Sequence, residues 1–115
     1  MEYRKVNAII NTLMLEKVDT ALRDIQVPGM TVTQVKGYGE YHDFYQPDMM
    51  CKHANIEIFC KASEADAIAA CIMDAAHTGQ SGDGIVAITP VERIYCIRTK
   101  SAQSLLGINA AEPLE

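Results

Sequence analysis

At 115 residues and a formal net charge of −5, the chain has room for one domain and lacks the clustered Lys and Arg that nucleic acid or an anionic membrane rewards. About half of its residues are apolar, enough for a core, but so small a domain buries a modest share of its surface, so association is expected. No apolar run approaches the ~20 residues that span a bilayer, and the opening MEYRKVNAII has no signal-peptide pattern, so a cytoplasmic protein is expected.

In chain order, Lys5 to Ile10 is a short apolar run suited to a buried strand. Leu15, Val18, Leu22 and Ile25 then recur at helical spacing, with charged residues on the opposite face. Pro28-Gly29 is expected to stop that helix, and the alternation in Thr31 to Lys36 predicts a strand ended by Gly37-Tyr38-Gly39. Glu40 to His53 shows no period and reads as a loop, with a strand resuming at Asn55. Ser63 is placed to cap a second helix whose apolar face is Ile68, Cys71, Ile72 and Ala75, with Asp66 in its first turn. The glycine-rich stretch Thr78 to Gly84 leads into a strand over Ile85 to Ile88, and Arg93 to Arg98 reads as a final extended segment.

This order implies an α+β fold: a ferredoxin-like βαβ-βαβ antiparallel sheet with both helices on one face. Residues 1–100 are expected to form that domain and 101–115 a loose tail. The second and third strands carry apolar residues on both sides, so self-association is the simplest cover for the other face. Four cysteines, at 51, 60, 71 and 96, form no Cys-x-x-Cys pair and match no zinc module, and reduced thiols are expected.

The glycines at 79, 82 and 84 would let backbone N–H groups curl toward an anion, with Asp83 accepting from a ribose or from the loop's own amides. The competing reading is a helix cap followed by a turn, and no Gly-Lys-Ser/Thr follows to make a P-loop. Gly37-Tyr38-Gly39 alone is a turn, but it and the Gly82–Gly84 loop could both flank a cleft between subunits, where Arg98 could supply positive charge. Cys51 and His53, with His42 and Asp48 nearby in sequence, form a candidate metal set; an ordinary loop is the alternative. His77 suits the negative end of a helix. No nucleophile has a base at motif spacing, so an enzyme is not expected.

The segment Gly29 to Gly39 (GMTVTQVKGYG) closely resembles the second strand of the PII signalling proteins, trimeric ferredoxin-like sensors of adenine nucleotides. Ala75 to Gly84 (AAHTGQSGDG) resembles their nucleotide loop, and Ile94 to Thr99 resembles their closing strand, so the likeness runs from about Val6 to Lys100. It implies a homotrimer with nucleotide contacts from Thr31, Gly37, Tyr38, Gly39, Glu57, Thr78, Gly82, Asp83, Gly84 and Arg98.

The departures are informative. The family's loop between strands two and three is shorter here and lacks its Tyr-Arg-Gly-Ala-Glu-Tyr stretch, so modification of Tyr41 or Tyr45 is unsupported. Ile85 stands where the family has a lysine after Gly-Asp-Gly, Cys96 where it has the first arginine of the last strand, and His53, next to Lys52, where it has a lysine before the third strand. The resemblance makes those three cations phosphate ligands. At ~1.5–3 kcal/mol for each charge-assisted contact, their loss should cost ATP more than AMP or ADP. A non-enzymatic regulator of a transporter or enzyme is therefore implied, in nitrogen metabolism or in the bicarbonate- and carboxysome-associated branch that the short loop resembles, with bicarbonate a candidate second input. The alternative is a metal-responsive relative linked to heavy-metal efflux, using Cys51, His53 and His42. Gly84 is expected to be open to the nucleotide, so that Gly84→Val would remove binding and spare the fold.

Overall fold

In the computed structural model, which describes residues 2–38 and 51–102 except for the Cys51 side chain, alternation decides which side of strand β1 (Tyr3–Asn11) is buried. Val6, Ala8 and Ile10 are at most 1% exposed, while Lys5, Asn7 and Ile9 between them are only half-buried. Strand β1 is central. It pairs antiparallel with β3 (Cys51–Lys61) from Tyr3↔Lys61 to Asn11↔His53, and with β4 (Gly84–Val91) from Tyr3↔Val91 to Ile10↔Gly84. Strand β2 (Thr31–Gly37) pairs with β3 from Thr31↔Glu57 to Gly37↔Cys51, giving the order β2-β3-β1-β4. Pro90, which has no N–H to donate, is tolerated because β4 is an edge strand.

Helices α1 (Leu15–Asp24) and α2 (Ala65–Ala76) cover one sheet face. Val18 and Leu22 of α1 and Ile68, Ala69 and Ile72 of α2 meet Val6, Ala8, Ile10, Ile56 and Ile58 in one core. This is the expected ferredoxin-like α+β arrangement. The alanines of α2 let the helix lie close to the sheet, and each fully buried isoleucine contributes ~1.5–3 kcal/mol.

Several local expectations give way. Helix α1 ends before Pro28-Gly29: Gln26 adopts φ 64°, and the Val27 N–H reaches the Leu22 carbonyl at 3.0 Å, closing the helix with a left-handed residue that is not glycine. Ser63 caps nothing. It lies in a 3-10 turn, Ala62–Glu64, and the Ala62 N–H donates instead to the Glu2 carbonyl at 2.8 Å. Strand β3 begins at Cys51, four residues before Asn55, because residues 51–54 pair with β2, and His53 and Ala54 with β1 as well. Arg93 to Arg98 is not one extended segment. Only β5 (Tyr95–Cys96) is a strand, and it pairs with β6 (Ser101–Ala102) as a separate two-stranded sheet whose turn is closed by the Lys100 N–H on the Cys96 carbonyl at 2.8 Å. In one chain the main sheet gives this segment no partner.

The face away from the helices is mixed. Phe59 of β3 and Ile85 of β4 are about half exposed there, at 50% and 47%, beside a Lys5–Glu57 ion pair at 3.8 Å and a hydrogen bond from the Asn7 amide to Asn55. Among the described residues Cys60, Cys71 and Cys96 are unpaired thiols. Burial pushes the Cys60 and Cys71 thiols up, helped by Glu64 and by Asp74.

Gly84 overturns one expectation outright. Its φ is +106°, and a Cβ there would lie 1.8 Å from the Ile9 carbonyl oxygen. The residue lacks a side chain because β1 occupies the space, so Gly84→Val cannot separate binding from folding. Gly84→Ala should cost ~3 kcal/mol or more, from left-handed strain plus overlap with backbone. Gly29→Ala, with nothing within 4 Å, should change stability by less than about 1 kcal/mol. Urea denaturation of the two variants checks the contrast.

Candidate nucleotide site

Helix α2 ends at Ala76, and His77 turns extended at φ −66°, ψ 129°. The chain then needs two left-handed residues to reach β4, and Gly79 (φ 84°) and Gly82 (φ 100°) supply them. The loop folds around its own anion. The Asp83 carboxylate accepts from the Thr78 N–H and the Gly79 N–H, each at 2.9 Å, and from the Thr78 hydroxyl, while the Gln80 N–H donates to that hydroxyl at 3.3 Å. The Thr78 hydroxyl, then the Thr78 and Gly79 amides, hold the Asp83 carboxyl below the usual carboxylate range; His77, 3.9 Å away, adds a smaller pull when protonated. Of the two partners expected for Asp83, its own loop amides are the ones it takes.

A second clamp comes from the sheet. His53 is 4% exposed, and its Nε2 lies 2.9 Å from the Gly82 carbonyl oxygen. A carbonyl can only accept, so Nε2 carries the proton and donates. This contact was not visible in the sequence, where His53 fell in a supposed loop. Extending the alternation of Asn55, Glu57 and Phe59 backwards puts His53 on their face of the strand, which is the signal that could have found it.

The remaining expected residues divide by position. The end of β2, the start of β3, the end of β1 and the start of β4 share one end of the sheet. Gly37 and the 70%-exposed Tyr38 are therefore at the same end as Thr78, Gly82, Asp83 and Gly84, but three strand spacings away, ~14 Å. Thr31 and Glu57 lie opposite each other six residues back along β2, ~20 Å from Gly37, and Glu57 is ion-paired with Lys5. Arg98 is exposed in the turn between β5 and β6. Gly39 and His42 lie outside the described residues, as do Tyr41, Tyr45, Asp48 and the Cys51 side chain. Of the metal set only the His53 side chain is described; it is turned to Gly82, and among the described residues no three His, Cys, Asp or Glu gather as metal ligands. Beside the loop, Ile72, Met73, Ala76, His77, Ile85 and Val86 line a largely apolar groove of about 230 Å³. That is below the ~300–1,000 Å³ of a complete small-molecule site.

Fold and loop together define a small ferredoxin-like domain with a partial recess at one end of its sheet. The family model described as Nitrogen regulatory protein P-II matches residues 3–101. The chain is 36% identical over 104 residues to the nitrogen regulatory protein P-II of Azospirillum brasilense, and 35% identical over 104 residues to that of Pasteurella multocida; each match covers 84% of this chain and 92% of the relative. Among solved structures, Arabidopsis thaliana PII bound to citrate superposes with a TM-score of 0.77 at 29% identity, over 89% of both chains. The chain belongs to the P-II family of nitrogen-regulatory signal-transduction proteins.

The Asp83 clamp makes the loop sensitive to acid. Its folded carboxyl is more acidic than in the unfolded chain. The stabilisation is therefore complete above the ordinary aspartate range and is lost as pH falls through the lower folded value. Amide exchange at Thr78 and Gly79 should accelerate over that interval, and Asp83→Ala at neutral pH should speed both amides by up to about tenfold. Exchange followed by NMR checks both.

Proposed function

We propose that this chain is a non-enzymatic P-II regulator that works as a homotrimer and binds AMP or ADP between subunits. In this reading residues 1–100 carry the binding domain and 101–115 a tail, whose first two residues, Ser101 and Ala102, pair with β5; the protein is cytoplasmic, and the nucleotide state is passed to a transporter or enzyme. Among the described residues no helix is long and apolar enough to cross a membrane.

The observation that carries the reading is the division of the recess. The Thr78–Gly84 loop and the Gly37–Tyr38 turn share one end of the sheet but stand too far apart for one phosphate group to touch both. A second copy could bring its own turn against the loop and close the small groove beside it. The exposed Phe59 and Ile85, with Ile97 of the β5–β6 hairpin at 94% exposure, are apolar surface such an assembly would cover. Thr31, Glu57 and Arg98 would then meet the nucleotide from a neighbouring subunit.

Preference for fewer phosphates follows from the replacement of three cations that the resemblance implies, by Ile85, Cys96 and His53. Ile85 offers no charge beside the loop. Cys96 offers a thiol whose acidity is raised by the Thr99 N–H, then the Thr99 hydroxyl, with smaller help from Arg98, so ionisation would make it an anion. A role in inorganic-carbon metabolism, with bicarbonate as a second input, rests on the short segment between β2 and β3.

Calorimetry with AMP, ADP and ATP should show the first two binding at least as tightly as the third, and sedimentation should show a trimer. A tenfold advantage for ATP, about 1.4 kcal/mol, would contradict the nucleotide preference, and a stable monomer at micromolar concentration would remove the shared site. Affinities unchanged by added bicarbonate would remove the inorganic-carbon role.

A further inference from the structure

The solvent side of α2 is smooth for a surface helix. Its exposed residues are Asp66, Ala67, Ala70, Met73 and Asp74, with no lysine, arginine, glutamate or glutamine among them. A solvated helix face ordinarily carries such long polar side chains. Where α1 runs against α2, a shallow groove opens between the two helices. Its floor is Ala21, Ile25, Ala67, Ala70, Cys71 and Ala75, and its volume is about 660 Å³, against about 230 Å³ beside the glycine loop. Alanines in the floor let another helix approach to the ~8–10 Å at which helix axes pack.

The charge around this groove is mostly negative. Asp19 takes the Arg23 guanidinium at 2.9 Å. That leaves Glu16, Asp24, Asp66 and Asp74 against Lys17 on the two helices, none of them ion-paired among the described residues. Lys17 and Asp74 stand at the rim. Asp24 is near as well, since burial, then Asp74, then Asp24 push up the pKa of the Cys71 thiol in the floor.

We propose that this groove docks an amphipathic helix of a protein partner, its apolar stripe on the alanine floor and its lysines or arginines beside Asp24 and Asp74. A helix laid in a groove is held by its apolar stripe, and the flanking charges select which partner fits. Two other occupants carry the wrong charge. Residues 103–115 of this chain hold two glutamates and no lysine or arginine, and a second copy brings a net charge of −5. The proposal goes beyond the nucleotide reading and does not depend on it. The groove belongs to the helix layer, so an assembly through the opposite sheet face leaves it open.

The test uses the full chain and two designed peptides of about four helical turns. One has a leucine stripe flanked by lysines, the other the same stripe flanked by glutamates. Each is titrated into isotope-labelled protein and followed by amide NMR, with thermal unfolding of every variant measured alongside. The lysine peptide should bind and shift the amides of Ala21, Ala67, Ala70 and Cys71, and the glutamate peptide should not. Ala70→Gln, which fills the groove without changing charge, should weaken binding about tenfold. Asp74→Asn should weaken it about threefold, and Glu92→Gln, the same charge change beyond β4, should leave it within about twofold. Equal binding of both peptides, or equal losses in Asp74→Asn and Glu92→Gln, would overturn the proposal. So would shifts gathered on Phe59 and Ile85 of the sheet face, or no binding of the lysine peptide at about 1 mM. If Ala70→Gln does not fold, the comparison of Asp74→Asn with Glu92→Gln decides.

Discussion

The candidate site depends on the absence of a side chain at Gly84. That residue ends the loop and begins β4, and its pairing with Ile10 fixes the register of the edge strand. Any Cβ would enter the Ile9 carbonyl, so the strands pack there backbone to backbone. The end of β1 also starts α1, because the Asn11 side chain accepts from the Leu13 N–H at 2.9 Å and opens the 3-10 turn Thr12–Met14 ahead of the helix. One close contact therefore sets where the loop stands relative to both the sheet and the first helix. The three loop glycines differ in what they do: Gly84 is required by packing as well as by dihedral angle, whereas Gly79 and Gly82 are required by dihedral angle alone.

Electrostatics limits what the loop can take. Its own carboxylate already uses two amides and a hydroxyl, so under the proposed reading the Thr78 and Gly79 amides are not the ones left for a phosphate. Asp83 is not a bare negative charge facing that ligand, because three donors share it. Removing the clamp would free the amides but release the loop, and preorganised donors bind better than loose ones because their ordering cost is met during folding. The His53 contact holds the same loop from the other side of the turn.

How far the sequence could be read follows from what each residue meets. The core strand and both helices were legible, since Val6, Ala8 and Ile10, or Val18 and Leu22, repeat at the period of their element. The start of β3 was not. His53 and Asn55 face away from the helices, where polar residues are allowed, and a polar alternation resembles a loop until its partners on β1 and β2 are known. Arg93 to Arg98 failed for the opposite reason: its composition suits a strand, but one chain gives it only β6 to pair with. Of the site, the Thr78–Gly84 stretch was legible because unusual dihedrals need glycine. The hydrogen bonds of Asp83 and His53 were not, since they depend on directions that spacing does not encode.

The open sheet face shows how a surface can be prepared for burial without being wholly apolar. Lys5 is paired with Glu57, and the Asn7 amide donates both to the Asn55 side chain and to the Ile56 carbonyl, the latter at 3.0 Å. Polar groups satisfied within one chain lose less when a neighbour displaces water than groups still relying on that water. Phe59 and Ile85 then supply an apolar drive with less desolvation cost to oppose it. A uniformly greasy face would favour many registers, whereas polar pairs placed between apolar patches penalise every register that leaves a charge or an amide uncovered. On this argument the face selects one arrangement of neighbours. That selectivity is what a ligand site shared between chains requires, because the Gly37–Tyr38 turn of one copy can serve the Thr78–Gly84 loop of another only if their spacing is fixed.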